Sequence, residues 1–310
     1  MLEPTVAMQF SKYSLLAGLM LVVLAAVCYT LVLALGKTAH QAPVLAHAGR
    51  ATARGGVATA ERPQPPVSSA QPPALAQYGT YFTWLSLAFL TACLFFLTIG
   101  TGHGPFSNQY EFSISFAWGM VLAYVYFEHK YKVRTIGLMV LPIAAAFLGY
   151  ALSMGATANP LVPALQNPPL LITHIVVAVL AYGAFSISFA AAALYLIQPE
   201  GGKLATAGLP KPALLDEMGY RAVIIGFPLM TLTVVIGGLW AEKAWGTYWS
   251  WDPKETASLI TWLIYGAYLH ARVARGWVGR RSAWLLVLGF VSVLFCFFGN
   301  LFFGGLHSYA

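Results

Sequence analysis

The chain has 310 residues, of which 59% are hydrophobic and 9% are charged. Soluble domains carry about 25% charged residues, so this composition excludes an ordinary water-soluble protein and indicates a polytopic membrane protein. The net charge of +7 requires no nucleic-acid partner, because the predicted helices explain where that charge lies.

Eight apolar stretches are long enough, or nearly so, to cross a hydrocarbon core ~30 Å thick, which takes ~20 helical residues. In chain order, the predicted spans are 14–36, 77–100, 111–128, 133–152, 171–197, 221–240, 254–273 and 283–303. They predict an all-α integral membrane protein, a bundle of about eight transmembrane helices joined by short loops.

Basic residues concentrate in the loops on one side of this predicted bundle. Fourteen of the seventeen Lys and Arg residues fall there, and only Lys12, Lys243 and Lys254 fall on the other side. The positive-inside rule then places the basic loops in the cytoplasm and both termini on the outer, periplasmic or lumenal, side. The excess positive charge is therefore a topology signal, and we expect no nucleic-acid binding.

The predicted spans divide the chain into three parts. Residues 1–36 are expected to form the first transmembrane helix. Residues 37–76 are rich in Ala, Pro and Gly and have no hydrophobic period, which predicts a flexible cytoplasmic linker. Residues 77–310 are expected to form the main transmembrane domain, which contains a polar, tryptophan-rich loop at residues 240–255.

This loop, which we name the Trp loop, has the sequence WAEKAWGTYWSWDPKE. Trp249 and Trp251 are two positions apart, so an extended segment would present both rings on one face. Trp245 precedes them, and Gly246 allows a sharp bend between. Several large rings on one short segment indicate a platform for a large, flat, hydrophobic ligand. An interfacial aromatic belt is the alternative interpretation, since Trp and Tyr gather at membrane boundaries.

The last four residues of the Trp loop form a helix-start pattern. Asp252, Pro253, Lys254 and Glu255 would occupy the N-cap, N1, N2 and N3 positions of the seventh span. Asp is a preferred N-cap, Pro is favoured at N1, and a Glu at N3 can bond back to the cap. The pattern predicts that Asp252 and Glu255 mainly begin a helix and thereby fix the angle of the Trp loop over the bundle.

Three histidines stand out by their positions. His174 lies about one turn into the fifth span from the outer side, and His307 follows the eighth span on that same side. Neutral imidazole is a common haem ligand, so this pair beside the Trp loop predicts two axial ligands of one flat metallocycle. His270 lies ~22 Å deeper than Glu255 on the seventh span at 1.5 Å per residue. Ionisable residues inside spans are functional candidates, although a packing role stays open for each.

The Trp loop, followed by WLIYGAYLH and by GLHSYA at the chain end, resembles the WWD-motif region of the CcsA (ResC) family. Members of that family are haem-handling membrane proteins of system II cytochrome c biogenesis. The resemblance is strong over residues 171–310. In addition, GPFSNQYEFSISFAW at residues 104–118 is similar to the Pro-x-x-Asn-x-Tyr-Glu segment of the family.

The resemblance implies a role for each candidate residue. His174 and His307 would be the outer axial ligands of haem, and His270 would be a transmembrane ligand that holds haem on its way out. Lys243 and Lys254 are candidates for pairing with the haem propionates. The predicted haem platform consists of Trp245, Gly246, Tyr248, Trp249, Trp251 and Asp252.

The resemblance also implies cofactor, partners and location. Haem b would be the transported ligand and substrate. A ResB (CcsB-type) membrane protein would supply the partner histidine of His270, apocytochrome c would receive the haem, and thiol-reducing proteins would act indirectly. The expected location is the bacterial plasma membrane, or the thylakoid membrane if the chain is plastid-encoded.

Three functions are compatible with these patterns. The first is a subunit of a cytochrome c synthase, a haem lyase, which moves reduced haem to the outer face and presents it for thioether attachment to Cys-x-x-Cys-His of apocytochrome c. The second is a haem transporter or chaperone that passes haem on without organising the ligation. The third is an ion or metabolite transporter whose tryptophans form only an interfacial belt.

Overall fold

A computed structural model describes residues 3–39, 74–155, 161–166, 168–198 and 208–308. These residues form an all-α bundle, as predicted, and three short 3₁₀ turns at residues 134–136, 163–165 and 299–301 connect or extend its helices. The long helices are α1 (Pro4–Ala39), α2 (Ala74–Thr101), α3 (Gln109–Tyr131), α4 (Gly137–Met154), α5 (Pro168–Leu196), α6 (Pro212–Trp245), α7 (Pro253–Arg275) and α8 (Arg280–Phe298).

Successive helices run in alternating directions, so the loops collect at two ends of the bundle. The Ser11 hydroxyl near the start of α1 donates to the carbonyl of Cys93 near the end of α2, 3.1 Å away. Likewise, Lys254 in the first turn of α7 contacts Cys296 in the last turn of α8. We name the end of the bundle that carries residues 240–255 the Trp-loop end, and the other end the opposite end.

Six of the eight helices are long and apolar enough to cross a membrane; α3 and α7 do not meet this criterion because they are more polar. The polar residues of α3 are shielded from lipid. Its Glu111, Ser113 and Ser115 are buried among the surrounding helices. The composition and the helices together establish an integral membrane protein.

Several helices extend beyond their predicted spans. Helix α1 begins at Pro4 rather than at residue 14, and α6 continues to Trp245 rather than ending at residue 240. The segment AEKAW is rich in good helix formers, which explains the longer α6. The first turns of the Trp loop are therefore helical. Of the predicted linker 37–76, residues 40–73 lie outside the described residues.

Ion pairs join the helices at the opposite end. Glu128 of α3 accepts hydrogen bonds from Tyr29 of α1, 3.0 Å away, and from Thr80 of α2. The same carboxylate pairs with Arg134 at 3.3 Å. Between α6 and α7, Arg272 pairs with Asp216 at 2.6 Å. These contacts fix the helices on the side of the bundle that carries most of the positive charge.

Candidate functional site: a cavity beneath the Trp loop

The Trp loop is held in shape by its own polar groups. Gly246 ends α6 in a left-handed conformation with φ of 75°, and its N–H donates to Glu242 O. Asp252 caps α7 by accepting from the N–H of Lys254, 2.9 Å away, and Glu255 accepts from the N–H of Asp252 at 3.2 Å. The predicted capping box at Asp252 and Glu255 is therefore confirmed.

Glu255 also holds the middle of the Trp loop. Its carboxylate accepts from the backbone N–H of Ser250 at 2.8 Å and from the Ser250 hydroxyl at 3.1 Å. The carboxylate is buried, so each of these bonds replaces a contact with water. A single side chain thus ties the loop to the first turn of α7, which fixes the position of the neighbouring tryptophans.

The tryptophan rings do not form the flat platform that an extended segment predicts. Trp251 has a left-handed backbone with φ of 60°, which turns the chain sharply before Asp252. The Trp249 and Trp251 rings therefore pack edge to face, with centroids 5.8 Å apart and planes at 89°. Trp249 lines a cavity, whereas Trp251 is 69% exposed. The prediction of an extended segment is wrong at Trp251.

This cavity lies directly below the loop and encloses about 1070 Å³, including its open mouth. Its walls are mainly apolar and aromatic, with residues from α3, α5, α6, α7 and α8. Such a lining is typical of a site for a mostly hydrophobic ligand. The side chains that matter for its chemistry are His174, Trp240, Tyr248, Trp249, Lys254 and His307.

His174 is held against α6. Its Nδ1 lies 2.9 Å from the carbonyl oxygen of Thr233; a carbonyl can only accept, so Nδ1 carries the proton. The approach is close because position 237 is glycine, where an added Cβ would lie 2.7 Å from Cε1 of the imidazole. With Nδ1 protonated, Nε2 is the ring nitrogen able to bind a metal.

His307 is held by the start of α7 in the same way. Its Nδ1 lies 2.8 Å from Oδ1 of Asp252. Burial lowers the pKa of His307, so its imidazole is neutral at pH 7. Burial opposes ionisation of Asp252, but hydrogen bonds from His307 and from the backbone of Lys254 outweigh it and lower the carboxyl pKa to about 2. The pair is therefore a neutral imidazole that donates to a carboxylate.

Aromatic rings connect the two histidines. The Trp240 ring lies parallel to His174, with centroids 6.2 Å apart, and also neighbours His307 at 5.7 Å. Trp245 contacts His307 edge to face at 4.8 Å. Both imidazoles line one cavity, each with Nδ1 held by an acceptor. This donor set suits two axial ligands of one metal carried in a flat macrocycle.

Several residues predicted from the sequence do not line the cavity. Lys243 is largely exposed and pairs with Glu242 at 3.8 Å. His270 lies on α7 near the opposite end and is exposed, with no hydrogen bond or ion pair among the described contacts. Gly246, Trp245 and Asp252 act from behind the lining, since they shape the loop or contact His307.

The sequence predictions missed part of the site. Trp240 is the first residue of the Trp loop and lies at the end of a predicted helical span, so the sequence gives no reason to distinguish it from an ordinary packing residue. Phe112 of α3 and Cys296 of α8 also line the cavity. The segment GPFSNQYEFSISFAW contains Phe112 and gave a signal for it. Thr233 gave none, because it contributes through its backbone carbonyl.

The fold and the cavity define an all-helical integral membrane protein with a ligand site at one end of its bundle. The family model described as cytochrome C assembly protein matches residues 106–307, a range that contains both cavity histidines and the whole Trp loop. The match covers more than half of the chain and ends at His307.

Relatives named cytochrome c biogenesis protein CcsA match most of the chain. The protein of Guillardia theta is 40% identical over 257 residues, covering 75% of this chain and 84% of the relative. Those of Gloeobacter violaceus and Pyropia yezoensis are 36% and 35% identical, each covering 76% of this chain and 87% and 88% of the relative. The chain belongs to the CcsA family and acts in cytochrome c biogenesis.

Proposed function

We propose that this chain binds haem in the cavity beneath the Trp loop, with His174 and His307 as its two axial ligands. One observation carries the proposal: both imidazoles line the same apolar cavity, and each has Nδ1 engaged by an acceptor. Metal-bound histidines usually donate their other ring nitrogen in this way, which fixes the tautomer and the ring orientation.

The two candidate lysines differ in their suitability for a haem propionate. Lys254 lines the cavity, and its ammonium lies 5.1 Å from the centroid of the Phe112 ring. Lys243 points into solvent and already pairs with Glu242. A cation in an apolar cavity attracts a carboxylate more strongly than an exposed one does. We therefore assign the propionate contact to Lys254 and treat Lys243 as a solvated charge in the last turn of α6.

His270 belongs to a second, incomplete site in this proposal. It is exposed on α7, and an ionisable side chain facing lipid is costly. A companion membrane protein of the ResB type would cover this face and supply the second histidine. Haem would bind there first and then move along the bundle towards the Trp-loop end, which would be the outer side.

The work of this chain is then largely positioning. His174 and His307 hold the iron, Trp249 and Tyr248 cover the macrocycle, and Lys254 fixes its propionate edge. Apocytochrome c supplies the thiols of Cys-x-x-Cys-His, which add to the haem vinyl groups to form thioether bonds. Held geometry of this kind lowers the entropic barrier of a reaction between two partners. The synthase role follows if the bound haem reaches those thiols in place.

A haem chaperone is the second candidate, because the cavity alone would serve both functions. Reconstitution with a ResB-type protein and an apocytochrome c peptide distinguishes them. A covalent c-type product that needs His174 and His307 supports the synthase role, whereas haem that stays bound without product supports the chaperone. An absorption spectrum of the purified protein tests the shared premise. If the protein binds no haem, either purified alone or reconstituted with the ResB-type protein, both functions would be contradicted.

A further inference from the structure

We propose that Asp252 is a positioning residue for His307, which fixes its tautomer so that Nε2 is the nitrogen presented to the iron. The effect on haem rests on the proposed function, whereas the tautomer of His307 rests on one contact, that between Asp252 and His307. Asp252 is the last residue of the Trp, Trp, Asp pattern in the Trp loop, and the helix-cap role predicted for it leaves this contact unexplained.

The contact is short and shielded. Oδ1 of Asp252 lies 2.8 Å from Nδ1 of His307, and the Asp252 side chain is 2% exposed. A carboxylate accepts but does not donate, so the proton of the neutral imidazole lies on Nδ1. Hydrogen bonds to an ionised acceptor are roughly twice as strong as neutral ones, so this contact selects one tautomer decisively.

The carboxylate is itself held in place. The same Oδ1 accepts from the backbone N–H of Lys254, and the N–H of Asp252 donates to Glu255. The start of a helix also favours a negative charge. Asp252 therefore lies on a rigid element with its orientation fixed from two sides, as a residue that supports a metal ligand requires.

The chain after α8 is shaped to bring His307 to this carboxylate. Gly305 passes so close that a Cβ there would lie 2.2 Å from Oδ2 of Asp252. Residues 301–303 and 306 are exposed large hydrophobics, so apolar packing alone gives little reason for this path. The Asp252–His307 bond joins this terminal segment to α7 and places the imidazole in the cavity wall.

The arrangement has a chemical consequence for bound haem. A carboxylate that accepts from Nδ1–H makes the imidazole a stronger donor to the metal, and the loss of such a partner lowers metal affinity roughly 10- to 100-fold. A stronger donor also favours ferric over ferrous iron. Asp252 would thus set both the retention of haem and its midpoint potential.

The first test needs no haem. Ring ¹⁵N spectra of ¹⁵N-histidine-labelled protein, with His307 identified by its loss in His307→Gln, report which nitrogen carries the proton. The variant Asp252→Ser keeps a good N-cap but is too short to reach the imidazole. We expect Nδ1–H alone in the wild type and a mixture of tautomers in Asp252→Ser. An unchanged His307 tautomer in the variant would overturn the proposal.

The second test measures haem affinity in a double-mutant cycle. Asp252→Ser should weaken haem binding roughly 10- to 100-fold in the wild type and have no further effect in His307→Ala. Asn108→Ser is the matched control, since Asn108 caps α3 by accepting from Glu111 N at 3.0 Å and contacts neither histidine in the described bonds. Equal losses from Asp252→Ser in both backgrounds would show that Asp252 acts only as a cap.

A third measurement separates charge from contact. Asp252→Asn keeps both the cap and a hydrogen-bond acceptor but removes the negative charge, so the midpoint potential of bound haem should rise while Asn108→Ser leaves it unchanged. A wild type that binds no haem would contradict the proposed function and leave the tautomer result standing. A wild type that binds haem through His307, with no shift in Asp252→Asn and no tautomer change in Asp252→Ser, would contradict only this inference.

Discussion

The two ends of α7 differ in how completely each surrounds its histidine. At the Trp-loop end, His307 lies in a cavity wall with Asp252 behind it and aromatic rings beside it. At the opposite end, His270 is exposed on the helix surface and has no polar contact among the described bonds. The Trp-loop end of α7 therefore borders a cavity whose walls come from this chain alone. At the other end of α7, the described contacts show no such cavity around His270.

The different surroundings of His307 and His270 indicate which of the two sites could be formed by this chain alone. The cavity draws its walls from five helices of the same chain, so its geometry is set when the bundle folds. His270 faces outward from the bundle, where the membrane or another protein would lie. On this comparison, the proposed haem binding at the Trp-loop end would need no partner, whereas the proposed function of His270 would need one.

The largest effect should come from the cavity histidines. We expect His174→Ala and His307→Ala each to remove most of the haem absorption of the purified chain, because each loses a proposed axial ligand. His270→Ala should leave that absorption unchanged, as should the control His129→Ala, whose residue is exposed at the opposite end. Soret spectra of the four variants at equal protein concentration provide the measurement.

The proposed ResB-type partner provides a second test of this prediction. With a ResB-type protein present, His270→Ala should lower the yield of c-type product, although the isolated chain is unaffected. If His270→Ala instead removes haem from the isolated chain as fully as His307→Ala does, the comparison fails, and the opposite end would hold a ligand site of its own.

A steric change behind His307 should have the next largest effect. Gly305→Ala places a Cβ 2.2 Å from Oδ2 of Asp252, whereas a Cβ at Gly304 meets nothing within 4 Å. We expect Gly305→Ala to separate His307 from Asp252 and weaken haem binding roughly tenfold or more. Haem titration of Gly305→Ala and Gly304→Ala checks this. Equal haem affinities would mean that the segment around Gly305 can shift without changing haem binding in the cavity.

The sequence predicted the elements of this site better than their arrangement. The helix start at Asp252 was readable because caps follow local rules, and the histidines were readable because ionisable residues are rare in spans. The Asp252–His307 contact joins residues 55 positions apart, so no local pattern encodes it. The turn at Trp251 was hidden for another reason: a left-handed backbone is uncommon at residues other than glycine, and tryptophan gives no hint of it.

Charge should have a smaller effect than ligation. Lys254→Met removes the cation of the cavity and should weaken haem binding roughly tenfold, as expected for a hydrogen bond to a charged group. Lys243→Met, the matched change at an exposed position, should have little effect. A haem dimethyl ester, which lacks the propionate charges, should bind wild type and Lys254→Met about equally. A tenfold loss for the ester as well would show that Lys254 acts through packing rather than charge.

The smallest effect concerns the backbone at Trp251 and has a counterpart at the opposite end. Trp251 and Lys132 are the described non-glycine residues with left-handed backbones, with φ of 60° and 57°. That conformation costs residues with a Cβ roughly 1–2 kcal/mol, which glycine avoids. Trp251→Gly should therefore have a higher unfolding temperature than Trp251→Ala, and Lys132→Gly a higher one than Lys132→Ala. Both substitutions at a position remove the native side chain, so the difference between them reports the cost of the left-handed backbone. If the Trp251 pair melt together while the Lys132 pair do not, the turn in the Trp loop depends on the indole ring, and the loop end of α7 would be the less rigid of the two.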